Sequence, residues 1–210
     1  MFIMKNQFNK DYFYGKKKSN YSNYEKINFD KQFRKIIDFI QKNRIKGRFL
    51  DIGCAFGGLT NLVLPYFKVY GCDISSFAIK KAKKLCPNAR FKIVNVEKSL
   101  PYRDNFFDCI VASDVLEHTN SLECSLKNII SKLKKDGYLI ISLPINNKFT
   151  KFFKFLDRDK THIYFPTEIE LLKLLYKLNM RIVEKQHFSP FPYFYKIYGI
   201  PAEIELYLKR

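Results

Sequence analysis

The stretch "FLDIGCAFGGLT", residues 49–60, ends an apolar run on Asp51 and then places Gly53, Gly57 and Gly58 within six positions. Glycines at a strand-to-helix turn permit positive φ and let a ligand touch bare main chain, while the helix that follows offers unpaired N–H groups. The next apolar run, "KVYGCDI", closes on Asp73, whose carboxylate can accept both hydroxyls of a ribose. Together these residues read as a site for a nucleoside-bearing cofactor. Asp51 adds a constraint, because a buried carboxylate is costly unless it meets a cation or donors. A cofactor carrying a sulfonium beside an amino group would supply that charge. Further along, "SDVLEH", Ser113 to His118, ends another apolar run. His118 and His162 are two of only three histidines, and imidazole titrates where a general base is useful. Each also has a bland reading: His118 as a structural hydrogen-bonder, His162 as a capping or packing residue. Glu117 reads as a group that orients its neighbours, and His187 as structural. No Cys or His spacing announces a metal site, so no metal is expected.

Elements that could position these residues follow from periodicity. "DKQFRKIIDFIQKNR" sets Phe33, Ile36, Ile37 and Ile40 at helical spacing, with Asp30 as N-cap and Gly47 as stop. Short apolar runs then alternate with helical patterns. Strands are expected at "RFLDIG", "KVYGCDI", "ARFKIVNV", "FDCIVASDV" and "GYLIISLP"; helices are expected at 57–65, "FAIKKAKKL", 121–135 and 167–179. Thr167 with Glu170 three residues on is a capping box. "MRIVEKQHF" and "AEIELYLKR" supply a sixth and a seventh strand. The pattern predicts an α/β fold, Rossmann-like and doubly wound, with a mostly parallel seven-stranded sheet flanked by helices. In such sheets ligands sit beyond the carboxyl ends of the strands where the strand order reverses.

The 210 residues fit one such domain, 30–210, after an irregular Tyr-rich lead-in, 1–29, that could act as a lid. A net charge of +18 would favour anionic partners. The lysines are spread along the chain, however, in a background rich in Asn, Ile, Tyr and Phe, which points to a compositional bias as the main source of the charge. Five cysteines without a C-x-x-C pair read as small buried thiols of a reducing compartment. No stretch approaches bilayer-spanning length, so a cytoplasmic protein is expected. "KFFKF" and "PFPYFYKIY" mix basic and aromatic residues as a peripheral membrane contact would, yet neither keeps amphipathic spacing.

"FLDIGCAFGGLT", "VYGCDIS", "VNVEKSLPYRDNFFDCIVASDVLEH" and "KLKKDGYLIISLP" resemble the successive motifs of class I S-adenosylmethionine-dependent methyltransferases, most of all the small-molecule group that includes the ubiquinone and menaquinone methyltransferases. The resemblance covers residues 33 to 180. It implies that Asp51, Gly53, Cys54, Ala55 and Gly57 form the turn holding the methionine part of S-adenosylmethionine. It also implies that Asp73 binds the ribose hydroxyls, that Ile74 lies against adenine, and that Asn95 and Val96 meet the adenine edge. Ser113 and its neighbours fall near the methyl donor, and the resemblance sets His118 beside the substrate cavity. Ala55 departs from the usual middle glycine, and Asn95 from the commoner Asp. The expected acceptor is a small or lipid-linked molecule, anionic if the charge is functional, with a pocket built from the lead-in, "NNKFTKFFKFLDRDKTHIYF" and "HFSPFPYFYKIYGIP". An RNA acceptor fits the charge, although no RNA-binding module is visible. A dinucleotide-binding dehydrogenase fits Gly53-x-Ala55-x-x-Gly58 plus Asp73 but leaves Asp51 and "SDVLEH" unexplained. A non-catalytic S-adenosylmethionine-binding protein is the remaining alternative.

Overall fold

The computed structural model describes residues 7–15, 19–21, 23–152, 159–189 and 196–210. Its centre is an eight-stranded sheet. β1 (Gly47–Ile52), β2 (Phe67–Asp73), β3 (Arg90–Ile93), β4 (Phe107–Ser113) and β5 (Leu133–Pro144) run parallel; β6 (Arg181–Ser189), β7 (Ile197–Tyr198) and β8 (Glu203–Lys209) complete it. The order is β3-β2-β1-β4-β5-β8-β6-β7, with β8 antiparallel to both β5 and β6. The doubly wound, mostly parallel architecture is thus as the periodicity predicts. The eighth strand is the two-residue β7, which pairs with Phe188 and Ser189 at one sheet edge.

Both faces are covered, which explains why the central strands are almost wholly apolar. Along β1 and β4 the side chains alternate: Phe49, Cys109 and Val111 join one cluster, and Leu50, Ile52, Ile110 and Ala112 the other. The first face is covered by α2 (Phe29–Lys42), which buries Phe33, Ile36, Phe39 and Ile40, and by α3 (Gly58–Val63). The second face is covered by α5 (Leu122–Lys132) and α7 (Glu168–Lys177), through Leu126, Ile129, Leu171 and Leu175. α4 (Ser76–Leu85) leans on β2 and β3. Two short helices, α1 (Lys10–Phe13) and α6 (Lys148–Phe152), lie outside these layers.

Several boundaries differ from expectation. Asn28, not Asp30, caps α2, its side chain accepting from Lys31 N at 3.0 Å. Asn43 closes that helix, and Gly47 instead opens β1 with φ +108°. The helix expected to reach residue 135 stops at Lys132, because Leu133 pairs with Phe107 in the sheet. Thr167 and Glu170 form the capping box. Four cysteines are buried, whereas Cys124 is exposed. His187 lies on β6, 2.8 Å from Glu168. Of the aromatic runs, residues 153–158 and 190–195 lie outside the described residues, and with them most of the sequence considered for membrane contact. No helix among the described residues is long and apolar enough to cross a membrane.

Candidate functional site

Sheet order reverses between β1 and β4, and a cleft opens beyond their carboxyl ends. Its wall includes Asp51, Gly53, Cys54, Ala55, Asp73, Ile74, Asn95, Val96, Ser113 and His118. The turn after β1 is held from behind: Gly53 N and Cys54 N both donate to Cys72 O, at 2.8 and 3.0 Å. Gly53 has φ +71°, and a Cβ there would come within 2.2 Å of Val115 Cγ2. We therefore expect Gly53→Ala to destabilise the fold by about 2–4 kcal/mol, from left-handed strain plus overpacking. Urea unfolding measures it. Gly57, with φ +88°, lies behind the turn, where a Cβ would sit 3.0 Å from Cys86 Sγ. It shapes the bend that leads into α3, and it is not among the residues lining the cleft. Ala55 also adopts positive φ, +46°.

Two carboxylates serve the turn. Asp73 Oδ2 accepts from Ala55 N at 2.9 Å and Oδ1 from Ser75 N at 2.8 Å, so the acid at the end of β2 holds the glycine turn against the start of α4. Each oxygen retains a lone pair for a further donor. Asp51 Oδ2 accepts from the Thr60 hydroxyl at 2.7 Å. Burial pushes Asp51 up to about 7 and Asp73 up to about 6, against the pull of these donors. Such buried carboxylates suit a cationic, hydroxyl-bearing ligand. The turn, the acids and the cleft fit S-adenosylmethionine: Asp73 would hold its ribose and Asp51 would face its positive end. Asn95 is partly committed elsewhere, since its Oδ1 accepts from Glu97 N at 2.9 Å.

Above the turn sits a cap of aromatic residues that the sequence placed only loosely. Tyr12 and Phe13 of α1 are buried, in a cluster with Ala55, Phe56 and Ala78 that is separate from the two main cores. Phe8, Tyr12, Phe13, Tyr21 and Tyr24 all line the cleft. Ser75 Oγ donates to Phe8 O at 2.5 Å, tying the segment to the β2 end.

The other end of the cleft is built by the 3₁₀ turn Leu116–His118 after β4. Ile163 N and Tyr164 N donate to Glu117 O at 2.8 and 3.2 Å, which draws His162 in beside that turn. The two rings stand 4.9 Å apart, centre to centre. His118 lines the cleft; His162 is not among its lining residues. Between them is Glu117, 1% exposed and pushed up to about 8 by burial. Asp114, with φ +56°, accepts from Ser142 Oγ at 3.0 Å, and burial raises it too. Sequence reasoning undervalued Glu117 and did not single out Asp114, Asp159 or Thr161. Asp114 and Glu117 nonetheless both fall within the "SDVLEH" stretch, one before the turn and one in it.

Fold and cleft together define a Rossmann-like class I S-adenosylmethionine-dependent methyltransferase domain. A family model described as a methyltransferase domain matches residues 24–185, and the chain belongs to that family. An uncharacterised protein of Methanocaldococcus jannaschii is 34% identical over 142 residues, covering 63% of this chain and 59% of its own length. A hybrid polyketide synthase–nonribosomal peptide synthetase of Talaromyces variabilis is 36% identical over 119 residues, covering 51% of this chain and 3% of the synthetase. The chain thus spans less than two thirds of the length of either relative. Among solved structures, an S-adenosylmethionine-dependent methyltransferase from Clostridium acetobutylicum superposes with a TM-score of 0.69 at 17% identity, covering 88% of this chain and 93% of that one. A methyltransferase from Methanosarcina mazei gives 0.66 at 21% identity, covering 81% and 96%. These structural likenesses concern the fold.

Proposed function

We propose that the protein transfers the methyl group of S-adenosylmethionine to a small-molecule acceptor. The observation that carries this reading is one continuous cleft lined at one end by Asp51, Asp73 and the glycine turn and at the other by His118. The match to segments within polyketide synthases supports a small acceptor over a macromolecular one. S-adenosylmethionine supplies an already activated methyl on a sulfonium, displaced in line by the acceptor. The chain's task is therefore mainly alignment, worth up to about 7–11 kcal/mol. Asp73 and the turn orient the donor, and the aromatic cap over Ala55 and Phe56 excludes water. For an acceptor that must lose a proton, the group at Glu117, His118 and His162 is the part of the site suited to promote it.

Titration calorimetry with S-adenosylmethionine, followed by transfer of labelled methyl to panels of small hydroxyl, amine and carbon acceptors, tests the reading. Saturable donor binding and a labelled small product are expected. Donor binding without transfer would favour a non-catalytic binding role, and transfer to RNA instead, weakening steeply with salt, would overturn the small-molecule reading.

The two acids also set a pH dependence. Ligand-free, Asp51 and Asp73 keep protons up to about 7 and 6, whereas an unfolded chain releases them near 3.8. Their contribution to stability therefore falls as pH rises from about 4 to 7, since the folded state binds more protons across that window. Donor binding uses the ionised forms, so affinity moves the other way. Between pH 7.5 and 5 we expect it to weaken at least about 10-fold. A flat affinity profile would show that neither carboxylate contacts the donor.

A further inference from the structure

Glu117 Oε1 lies 3.8 Å from His118 Nε2 and 4.0 Å from His162 Nε2, and the three atoms all fall within 4.8 Å of one another. These separations are too long for hydrogen bonds. They suit atoms sharing one cation at about 2.0–2.2 Å each after small side-chain adjustments.

The orientation of His118 is set from outside the group. Thr161 has one hydroxyl hydrogen, and it goes to Asp159 Oδ1 at 2.5 Å. Thr161 Oγ1, 2.9 Å from His118 Nδ1, must then accept, as Thr161 O does at 3.1 Å. The proton of the neutral ring is on Nδ1, and the Nε2 lone pair turns toward Glu117. A histidine whose distal N–H is anchored in this way is the usual form of a metal-ligating imidazole. Asp159 is itself held, accepting from Thr161 N at 2.8 Å and from Tyr12 Oη at 2.7 Å.

Charge points the same way. Glu117 is 1% exposed, and its Oε2 has no hydrogen-bond partner among the described residues. A carboxylate this buried needs positive charge or donors. Asp114 and Glu203, both half-buried, lie within electrostatic reach of it. The ammonium of Lys196, which acts on both of those acids, is already paired with Glu205.

We propose that Glu117, His118 and His162 bind one divalent transition-metal cation, with an open position toward the cleft that an oxygen of the acceptor fills. Two imidazoles and a carboxylate select Mn²⁺, Fe²⁺, Co²⁺ or Zn²⁺ over Mg²⁺ and Ca²⁺, which take mainly oxygen ligands. Cation binding stands alone; the role of the acceptor rests on the methyl-transfer reading. On that reading an acceptor hydroxyl binds the cation and loses its proton to solvent. Its oxygen pair then forms the bond to the methyl carbon as the carbon–sulfur bond breaks, leaving the pair on sulfur. The acceptor is accordingly an oxygen nucleophile.

The test uses the full chain, stripped with chelator, in a Cys124→Ser background because that exposed thiol could itself take metal. Mn²⁺ is titrated by the electron paramagnetic resonance signal of the free ion, and Zn²⁺ by competition with a chromophoric chelator. One equivalent per chain is expected, without competition from equimolar Mg²⁺. Glu117→Gln and His162→Ala should each abolish saturable binding, and Thr161→Val, which removes the hydroxyl acceptor at His118 Nδ1 together with its bond to Asp159, should weaken it about 10–100-fold. S-adenosylmethionine is titrated into the same metal-free samples. Equal donor affinity in the parent and in His162→Ala shows that the fold and donor site are intact. If that parent holds no more metal than His162→Ala, the proposal is overturned. If metal binds while the donor does not, the cation site stands and the methyl-transfer reading fails.

Discussion

Replacing Asp73 by Ala is expected to weaken S-adenosylmethionine binding at least about 100-fold while leaving the protein folded. Two effects combine. A hydrogen bond to a charged group is worth about 1.5–3 kcal/mol, and the carboxylate would make two of them to the ribose hydroxyls. The same side chain also anchors Ala55 N and Ser75 N, so its loss frees the turn that must lie against the donor. The fold survives because β2 pairs with β1 over six residues and with β3 over four, none of which needs the Asp73 side chain. Asp73→Asn should fall between the two, since an amide oxygen can serve one anchor without the charge. Calorimetry gives the affinities and a thermal melt the folding control. An Asp73→Ala protein that melts normally and binds the donor as the parent does would remove the ribose assignment, and with it the orientation proposed for the cofactor.

The second large effect concerns the cap. Phe13 is 3% exposed, and its ring centre lies 4.8 Å from that of Phe56 and 5.5 Å from that of Tyr24. Truncating a Phe this buried commonly costs about 3–5 kcal/mol. Here the cost should be local. The cap cluster meets the rest of the molecule through Ala55, Phe56 and Ala78 and is distinct from the two cores on the sheet faces, so it can open as its own unit. Phe13→Ala should therefore lower the melting temperature by no more than about 2–4 °C. It should also weaken donor binding about 10-fold or more and expose the lead-in to protease. A large drop in melting temperature would show that the cap belongs to the main cooperative unit. An unchanged donor affinity would show that it does not cover the cofactor.

What could be read from the chain was whatever depends on local pattern. Near-continuous apolar runs alternating with helical spacing specify strands covered on both faces, and they led directly to the parallel sheet. Thr167 and Glu170 announce their own helix start because a capping box is closed within four residues. The Gly53 turn and Asp73 were legible for the same reason, each ending an apolar run. Where local signals compete, sequence alone chose wrongly. Asn28 and Asp30 are both good caps, and what decides is which residue remains extended before the first turn; Asn28 does, at φ −83° and ψ 92°. Leu133 continues the helical periodicity of α5, yet it is fully buried against β4, and sheet pairing outweighs propensity there.

The tertiary structure alone decided what depends on distant parts of the chain meeting. Gly57 looks like a ligand contact in sequence, but packing against Cys86 turns it to the back of the loop. Tyr12 and Phe13, in a polar and aperiodic segment, become a buried cap only because Phe56 and Ala78 present a surface to them. The grouping of Glu117 and His118 with His162 has no spacing that announces it. It arises because the main chain of residues 163–164 hydrogen-bonds to Glu117 O and carries His162 back to the end of β4. Periodicity encodes which face of an element is buried; it does not encode which loops then share a cleft, and the chemistry of this protein is assembled there.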